Sequence, residues 1–255
     1  MRQLELKKPN DVKRLREIQL FLLDWFDKKA TENGYEYWLD FGTLLGAARN
    51  GRFIPWDDDI DISMDPISYS HFLSNCKSDD LVFIQTSINE KNYNENYIKL
   101  RFRKSLFIEH GQLPGVYAEQ GIYLDIFPSY YYPNLPKALV KLLIFFTYKT
   151  ELAGRKKSLI GYLMKMLYQC TNIFWYIAKK MPKKYFGQTP LDNWYRSLTS
   201  LDCLFPLGEI EFEGRMYPSP RDYGQHLEAL YGKNYLTPLS EDKRYTHAQA
   251  IMIDD

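Results

Sequence analysis

The chain is poor in cysteine. Of its 255 residues only Cys76, Cys170 and Cys203 are cysteines, an odd number spread far apart, which excludes a disulfide framework and the close ligand spacing of a zinc site. A reducing compartment is the expectation. No apolar run approaches the ~18–20 residues that a membrane-spanning helix needs, and the opening MRQLELKKPN lacks the apolar region of a signal peptide. These absences predict a chain of a reducing, cytoplasmic compartment, soluble or peripheral to a membrane. Acids are scarce in one place: from Lys137 to Lys184 the single acid Glu151 stands among eleven Lys or Arg. The formal charge of +1 therefore hides a local net of +10 there and −9 over the rest. No nucleic-acid-binding module is visible, and the acidic remainder argues against that partner.

At 45% hydrophobic and 25% charged residues the chain is an ordered globular protein, long enough for one sizeable core with an appendage or for two small domains. Its chemistry is concentrated in YWLDFGTLLGAARNGRFIPWDDDIDISMD, Tyr37 to Asp65. Ile60 and Ile62 alternate with Asp59, Asp61 and Ser63, so a strand here carries both carboxylates on one face and both isoleucines on the other. Carboxylates one residue apart lie roughly 7 Å from each other along the backbone, near enough to share a hard cation and too near to stay ionised easily without one. Mg²⁺ or Mn²⁺ fits. An EF-hand does not: Asp57, Asp59 and Asp61 match its first three ligands, but Ile62 stands where that loop needs glycine and Ser68 where it needs glutamate. Asp57 is expected on the acidic face and Asp58 pointing away. Upstream, a Gly42-Thr43 turn followed by a short helix over 44–50 would aim backbone amides at an anionic phosphate.

Gly42-Thr43 followed by Asp59-Ile60-Asp61-Ile62 resembles the core signature of the nucleotidyltransferase superfamily. The wording GTLLGAAR and then FIPWDDDIDI is similar to the LicD family of phosphocholine transferases, related to fukutin, and GIYLDIFP (Gly121 to Pro128) and LYGKNYLTP (Leu230 to Pro238), with His247 downstream, extend the likeness. It is strongest over 35–65, good over 97–128 and 212–247, and absent between 133 and 200. It implies an α+β fold with a nucleotidyltransferase-like (polymerase β-like) mixed β-sheet core flanked by helices, and a basic α-helical insertion. The expected division is 1–132 as catalytic core, 133–200 as a basic amphipathic insertion or cap, and 201–255 completing the catalytic domain.

The remaining segments read as follows. Asn10 or Asp11 caps a helix that Gly34 stops; 35–39 is a strand, 66–76 a helix, 81–86 a strand, and 97–108 one strand with Lys99, Arg101 and Arg103 on one face. Polyphosphate binding and protection of a sheet edge both explain three such cations; the resemblance selects Lys99 and Arg101. Asp125, the one charge within GIYLDIFP, must be paired, hydrogen-bonded or metal-bound to remain ionised, and by resemblance it is the third carboxylate of the site. Arg49 and His247 are substrate contacts by the same resemblance, and His226 is a further candidate for ligand contact. Apolar residues at helical spacing between lysines over 136–181 suit docking to an anionic membrane, a cap over the site, or a packed insertion with a basic outer face.

The family implies metal-dependent transfer of a substituted phosphate, phosphocholine from CDP-choline foremost, to a hydroxyl of a surface glycan or its lipid-linked precursor. Asp59, Asp61 and Asp125 would hold the metal, and Gly42, Thr43, Arg49, Lys99 and Arg101 would position the phosphates. The residues also admit a glycosyltransferase using Asp59-Ile60-Asp61 as an Asp-x-Asp motif, a nucleotidyltransferase acting on a small molecule, and a non-catalytic membrane-bound binding module.

Overall fold

The structure, a computed structural model, describes residues 1–155, 158–187 and 198–254. They divide into two compact units: Met1–Phe127 with Glu209–Ser219 and Tyr235–Asp255, and Pro128–Gly208 with Pro220–Asn234. The expected boundaries at 132 and 200 are thereby redrawn, since 220–234 joins the helical unit.

The first unit begins with β1 (Arg2–Leu4) and the long helix α1 (Pro9–Asn33). Leu15, Ile18, Leu22 and Phe26 form its buried face, the three- and four-residue spacing of an amphipathic helix. Pro9 sits in the first turn, where its missing N–H costs nothing, and Gly34 closes the helix at φ 67°. Asp11 does not cap it. The cap residue is Lys8, and Asp11 is buried, accepting from Arg2 Nη1 (2.7 Å) and the Glu5 amide (3.0 Å).

After β2 (Tyr37–Leu39) comes α2 (Phe41–Asn50). This helix starts three residues earlier than the sequence suggests, so Gly42 and Thr43 form its first turn rather than a turn before it. Asp40 caps it by accepting from the Phe41 amide at 2.8 Å, and Phe41 takes a φ of 44°, a region that costs a non-glycine residue about 1–3 kcal/mol. β3 (Asp61–Met64), α3 (Pro66–Asn75), β4 (Val82–Gln85) and β5 (Ile98–Phe102) follow. Ile60 and Ile62 are fully buried, as their alternation predicts.

The expected single strand over 97–108 is two. Beyond β5 the chain turns and β6 (Ser105–Glu109) enters a different sheet. Ser105 Oγ donates to Phe102 O at 2.7 Å and accepts from the Ile122 amide at 2.8 Å, fixing that turn. With β7 (Tyr123–Pro128), the main sheet has the order β2-β3-β7-β5-β4. The second sheet has the order β1-β13-β6, where β13 is Ala248–Ile253. Leu4, Leu15, Phe107, Ile122 and Ile251 pack into one core cluster of this unit, each fully buried apolar side chain contributing about 1.5–3 kcal/mol.

The second unit contains β8 (Tyr130–Pro133), the helices α4 (Lys137–Gly154) and α5 (Leu159–Ala178), β9 (Lys183–Gly187), β10 (Thr199–Ser200), and the short α6 (Leu201–Leu204) and α7 (Tyr223–Tyr231). β8, β9 and β10 form an antiparallel sheet with β9 in the middle. Its core joins Tyr132, Val140, Ile144, Tyr185 and Leu198. The hairpin of β11 (Gly208–Phe212) and β12 (Arg215–Ser219) lies almost wholly in the first unit.

Candidate active site

Two strands of the first unit bring the acids together. β3 carries Asp61, with Asp59 just before it; β7 carries Asp125, whose amide donates to Ile60 O at 2.8 Å. One carboxylate oxygen each from Asp59, Asp61 and Asp125 lies within 4.8 Å of the others. β5 lies beyond β7, and the register pairs Lys99 with Asp125. Residues directly opposite in a sheet share a face, so Lys99 Nζ donates to Asp125 Oδ2 at 3.0 Å and reaches Glu109 Oε1 at 3.3 Å. The ammonium also sits 3.4 Å from the centre of the Tyr123 ring.

The helix α2 supports this arrangement from its N-terminus. Thr43 Oγ1 accepts from the Asp61 amide at 2.8 Å, which fixes the start of β3. A Cβ on Gly42 would come within 2.5 Å of Asp57 Oδ2, so glycine is what lets the Asp57 carboxylate lie against the helix. The first-turn amides of Gly42 and Thr43 have no intrahelical carbonyl to donate to.

Asp58 does not point away. It is buried, accepts from the His247 amide (3.0 Å) and the Ala248 amide (2.8 Å), and takes His247 Nδ1 at 3.0 Å. The same imidazole nitrogen is 3.3 Å from Asp59 Oδ2, and Asp58, Asp59 and His247 form a second cluster of metal-ligand type that shares Asp59 with the first. Gln19 Nε2 donates to Asp58 O at 2.6 Å, tying α1 to this point.

Crowded, buried carboxyls resist ionising. Burial, then Asp59 and Asp58, pushes Asp57 up to about 8. Burial raises Asp125 to about 7 although Lys99 opposes it. Asp59 is raised by burial against the opposing His247, and Asp61 well above the usual range by burial followed by Asp59 and Asp125. His247 moves to about 9, chiefly through its hydrogen bond to Asp58, so it is an imidazolium at neutral pH. Glu109 is lowered: burial opposes ionisation, but Lys99 and Arg101 together outweigh it. Asp125 Oδ1 is buried with no hydrogen-bond partner among the described residues, although Lys99 Nζ lies 3.0 Å away. Oxygen donors crowded at this spacing, their ionisation opposed by burial and by one another, fit a hard divalent cation.

Other residues singled out by the sequence have different surroundings. Arg101 is fully buried; its Nε donates to Gln85 Oε1 at 2.9 Å, its Nη1 to Gly121 O at 3.1 Å, and its Nη2 lies 3.6 Å from Glu109. A phosphate has no access to it, so its expected phosphate contact is corrected to a role behind Glu109. Arg49 donates from Nε to Tyr235 O at 3.1 Å and from Nη2 to Tyr235 O and Thr237 O. It fastens the NYLTP segment to α2. Arg103, past the end of β5, bonds Asp79 O and Glu119. His226 belongs to the second unit, buried and stacked on Phe186 at 5.2 Å. Glu109 and the Asp58–His247 pair carried no sequence signal, because strand pairing and a contact 189 residues long create them.

The first unit is a mixed α+β domain with acids on two neighbouring strands beside a helix N-terminus, and residues 34–151 match the family described as "LicD/FKTN/FKRP, nucleotidyltransferase domain". Residues 34–151 thus carry a LicD-family domain. The chain is 27% identical to the lipopolysaccharide cholinephosphotransferase LicD of Haemophilus influenzae over 272 residues, 94% of this chain and 98% of that protein. The ribitol 5-phosphate transferase FKRP of Homo sapiens is 48% identical over 44 residues, 17% of this chain and 8% of that protein. Mannosyltransferase regulator 4 of Saccharomyces cerevisiae is 40% identical over 57 residues, 22% of this chain and 5% of that protein.

Proposed function

We propose that this chain transfers phosphocholine, or a closely related substituted phosphate, from a CDP-linked donor to a hydroxyl of a glycan or its lipid-linked precursor. It is a transferase of substituted phosphate groups, and the full-length likeness to a lipopolysaccharide cholinephosphotransferase favours choline phosphate among them. We read the five-stranded sheet as a nucleotidyltransferase-type core, and place the reaction in the cytoplasm, at the inner membrane face where a lipid-linked acceptor is within reach. The observation that carries the reading is the meeting of Asp59, Asp61 and Asp125.

Those three carboxylates would hold Mg²⁺ or Mn²⁺. When bound, the ion neutralises charge developing on the phosphoryl oxygens and on the departing nucleotide. The chain's own groups do the rest. The Gly42 and Thr43 amides, at the positive end of α2, receive the diphosphate. Thr43 Oγ1 holds Asp61, and Lys99 holds Asp125 from the side of β5. The His247 imidazolium offsets the charge of Asp58 and Asp59. Asp57, lying against Gly42, takes the proton of the acceptor hydroxyl as its oxygen forms the bond to phosphorus and CMP leaves.

The test is to incubate the purified chain with CDP- and UDP-linked donors, with and without Mg²⁺, and to identify the released nucleotide and the product by mass spectrometry. CMP released only with the metal, together with phosphorus on the acceptor, is the expected result. UDP released with no phosphorus on the product would replace the proposal with glycosyl transfer.

A further inference from the structure

The helices α4 and α5 reverse the usual rule about apolar side chains. On α4, Val140, Ile144 and Thr147 are buried, and on α5, Gly161, Thr171 and Ala178, with Trp175 Nε1 donating to Thr147 Oγ1 at 2.8 Å. These positions mark the faces packed within the unit. A second stripe lies elsewhere on α5. Leu159, Leu163, Met166, Cys170, Ile173 and Ile177 follow one another at spacings of four and three along the whole helix, and all are exposed, Leu159 at 86%, Met166 at 68% and Ile173 at 60%. A 20-residue helix is about 30 Å long, so this is a continuous apolar strip, and Leu142 and Phe146 on α4 are exposed as well. Soluble surfaces rarely carry contiguous apolar patches larger than a few hundred Å².

The geometry points to this strip as a surface that docks onto an anionic lipid bilayer. Charge selects that occupant. α5 contains no acid and α4 only Glu151, which pairs with Arg155, whereas Lys137, Lys141, Lys149, Lys165, Lys179 and Lys180 lie on or beside the two helices. A second copy of the chain would set the same positive charges against each other. A bilayer with anionic headgroups accepts the lysines and the apolar strip together, with the strip at the acyl boundary. No helix among the described residues is long and apolar enough to cross a membrane, so the helix lies in the interface plane. This inference is independent of the phosphate-transfer reading, because its measurement needs no donor.

The experiment is flotation of the full chain with vesicles of phosphatidylcholine alone and of phosphatidylcholine with 30% phosphatidylglycerol. Binding to the anionic vesicles at least about ten-fold above the neutral ones, falling as salt rises, is expected. Changing Lys165 and Lys179 to Gln is expected to weaken it, each by about five-fold. Leu163→Glu with Ile173→Glu is expected to abolish it, while circular dichroism and the thermal midpoint stay those of the parent, since both positions are exposed. Absence of binding, equal binding to both vesicles, or unchanged binding by the Glu variant would overturn the proposal. So would sedimentation showing a dimer that the Glu variant dissolves.

Discussion

The two units break the ordinary distribution of side chains in opposite directions. In the first, Asp58, Asp59, Asp125, Lys99 and Arg101 are buried, although charges are the groups most costly to take out of water. In the second, Leu159, Ile160, Met166 and Ile173 stand in solvent, although such side chains normally supply the core. Each departure loses stability locally, and each is what the proposed sites would require: an acidic cage for a cation, and an apolar strip for a lipid surface. The lesson is that the two kinds of misplaced residue fall in different units, buried charge in the first and exposed apolar side chains in the second.

Breaking the acidic cage should give the largest effect. Asp59→Asn with Asp61→Asn is expected to lower nucleotide release by about 10³-fold or more, while the thermal midpoint in chelator holds or rises, because mutual repulsion is removed. Lys99→Met leaves Asp125 and Glu109 without their shared cation. Breaking a buried pair in this way costs about 3–5 kcal/mol, to be read from urea unfolding of the first unit. Gly42→Ala brings a methyl against the Asp57 carboxylate, and a displacement on the order of 1 Å at a catalytic group costs up to about 100-fold in rate, measured by steady-state kinetics with little change in stability.

A gentler probe is pH. Asp57 and Asp125 have folded-state values of about 8 and about 7, above the ordinary carboxylate value, so the folded chain keeps protons that the unfolded chain has released. Metal-free stability from these groups therefore falls as pH rises from about 4 to 8. His247, raised to about 9, adds stability that is full below about pH 6.5 and lost as pH rises through 9, the same direction. Differential scanning fluorimetry should show the metal-free midpoint declining from pH 6 to pH 8, and Mg²⁺ should restore more of it at pH 8 than at pH 6.

Much of this contrast was legible in the sequence. The Ile60–Ile62 alternation marks a strand with one buried face, Gly34 marks the end of α1, and the acid-poor 137–184 stretch marks the helical pair. What the sequence hides is created by distance and by direction. Nothing local in Asp58 says that it faces inward, because its partners are His247 and Ala248. Lys99, Arg101 and Arg103 look alike in an alternating run, yet the turn at Ser105 ends the strand before Arg103, and sheet register sets Lys99 against Asp125 and leaves Arg101 behind it. The start of α2 moved because Asp40 caps it, with Phe41 at positive φ, which the surrounding hydrophobic pattern does not encode.

The bonds from Asp58 to His247 and Ala248 carry a temporal consequence. During synthesis the aspartates emerge early, and α4 and α5 follow; the histidine that neutralises Asp58 arrives about 190 residues after it. The acidic cluster is therefore completed only after both helices have been made, and a nascent chain that ends before His247 leaves Asp58 without its imidazole partner.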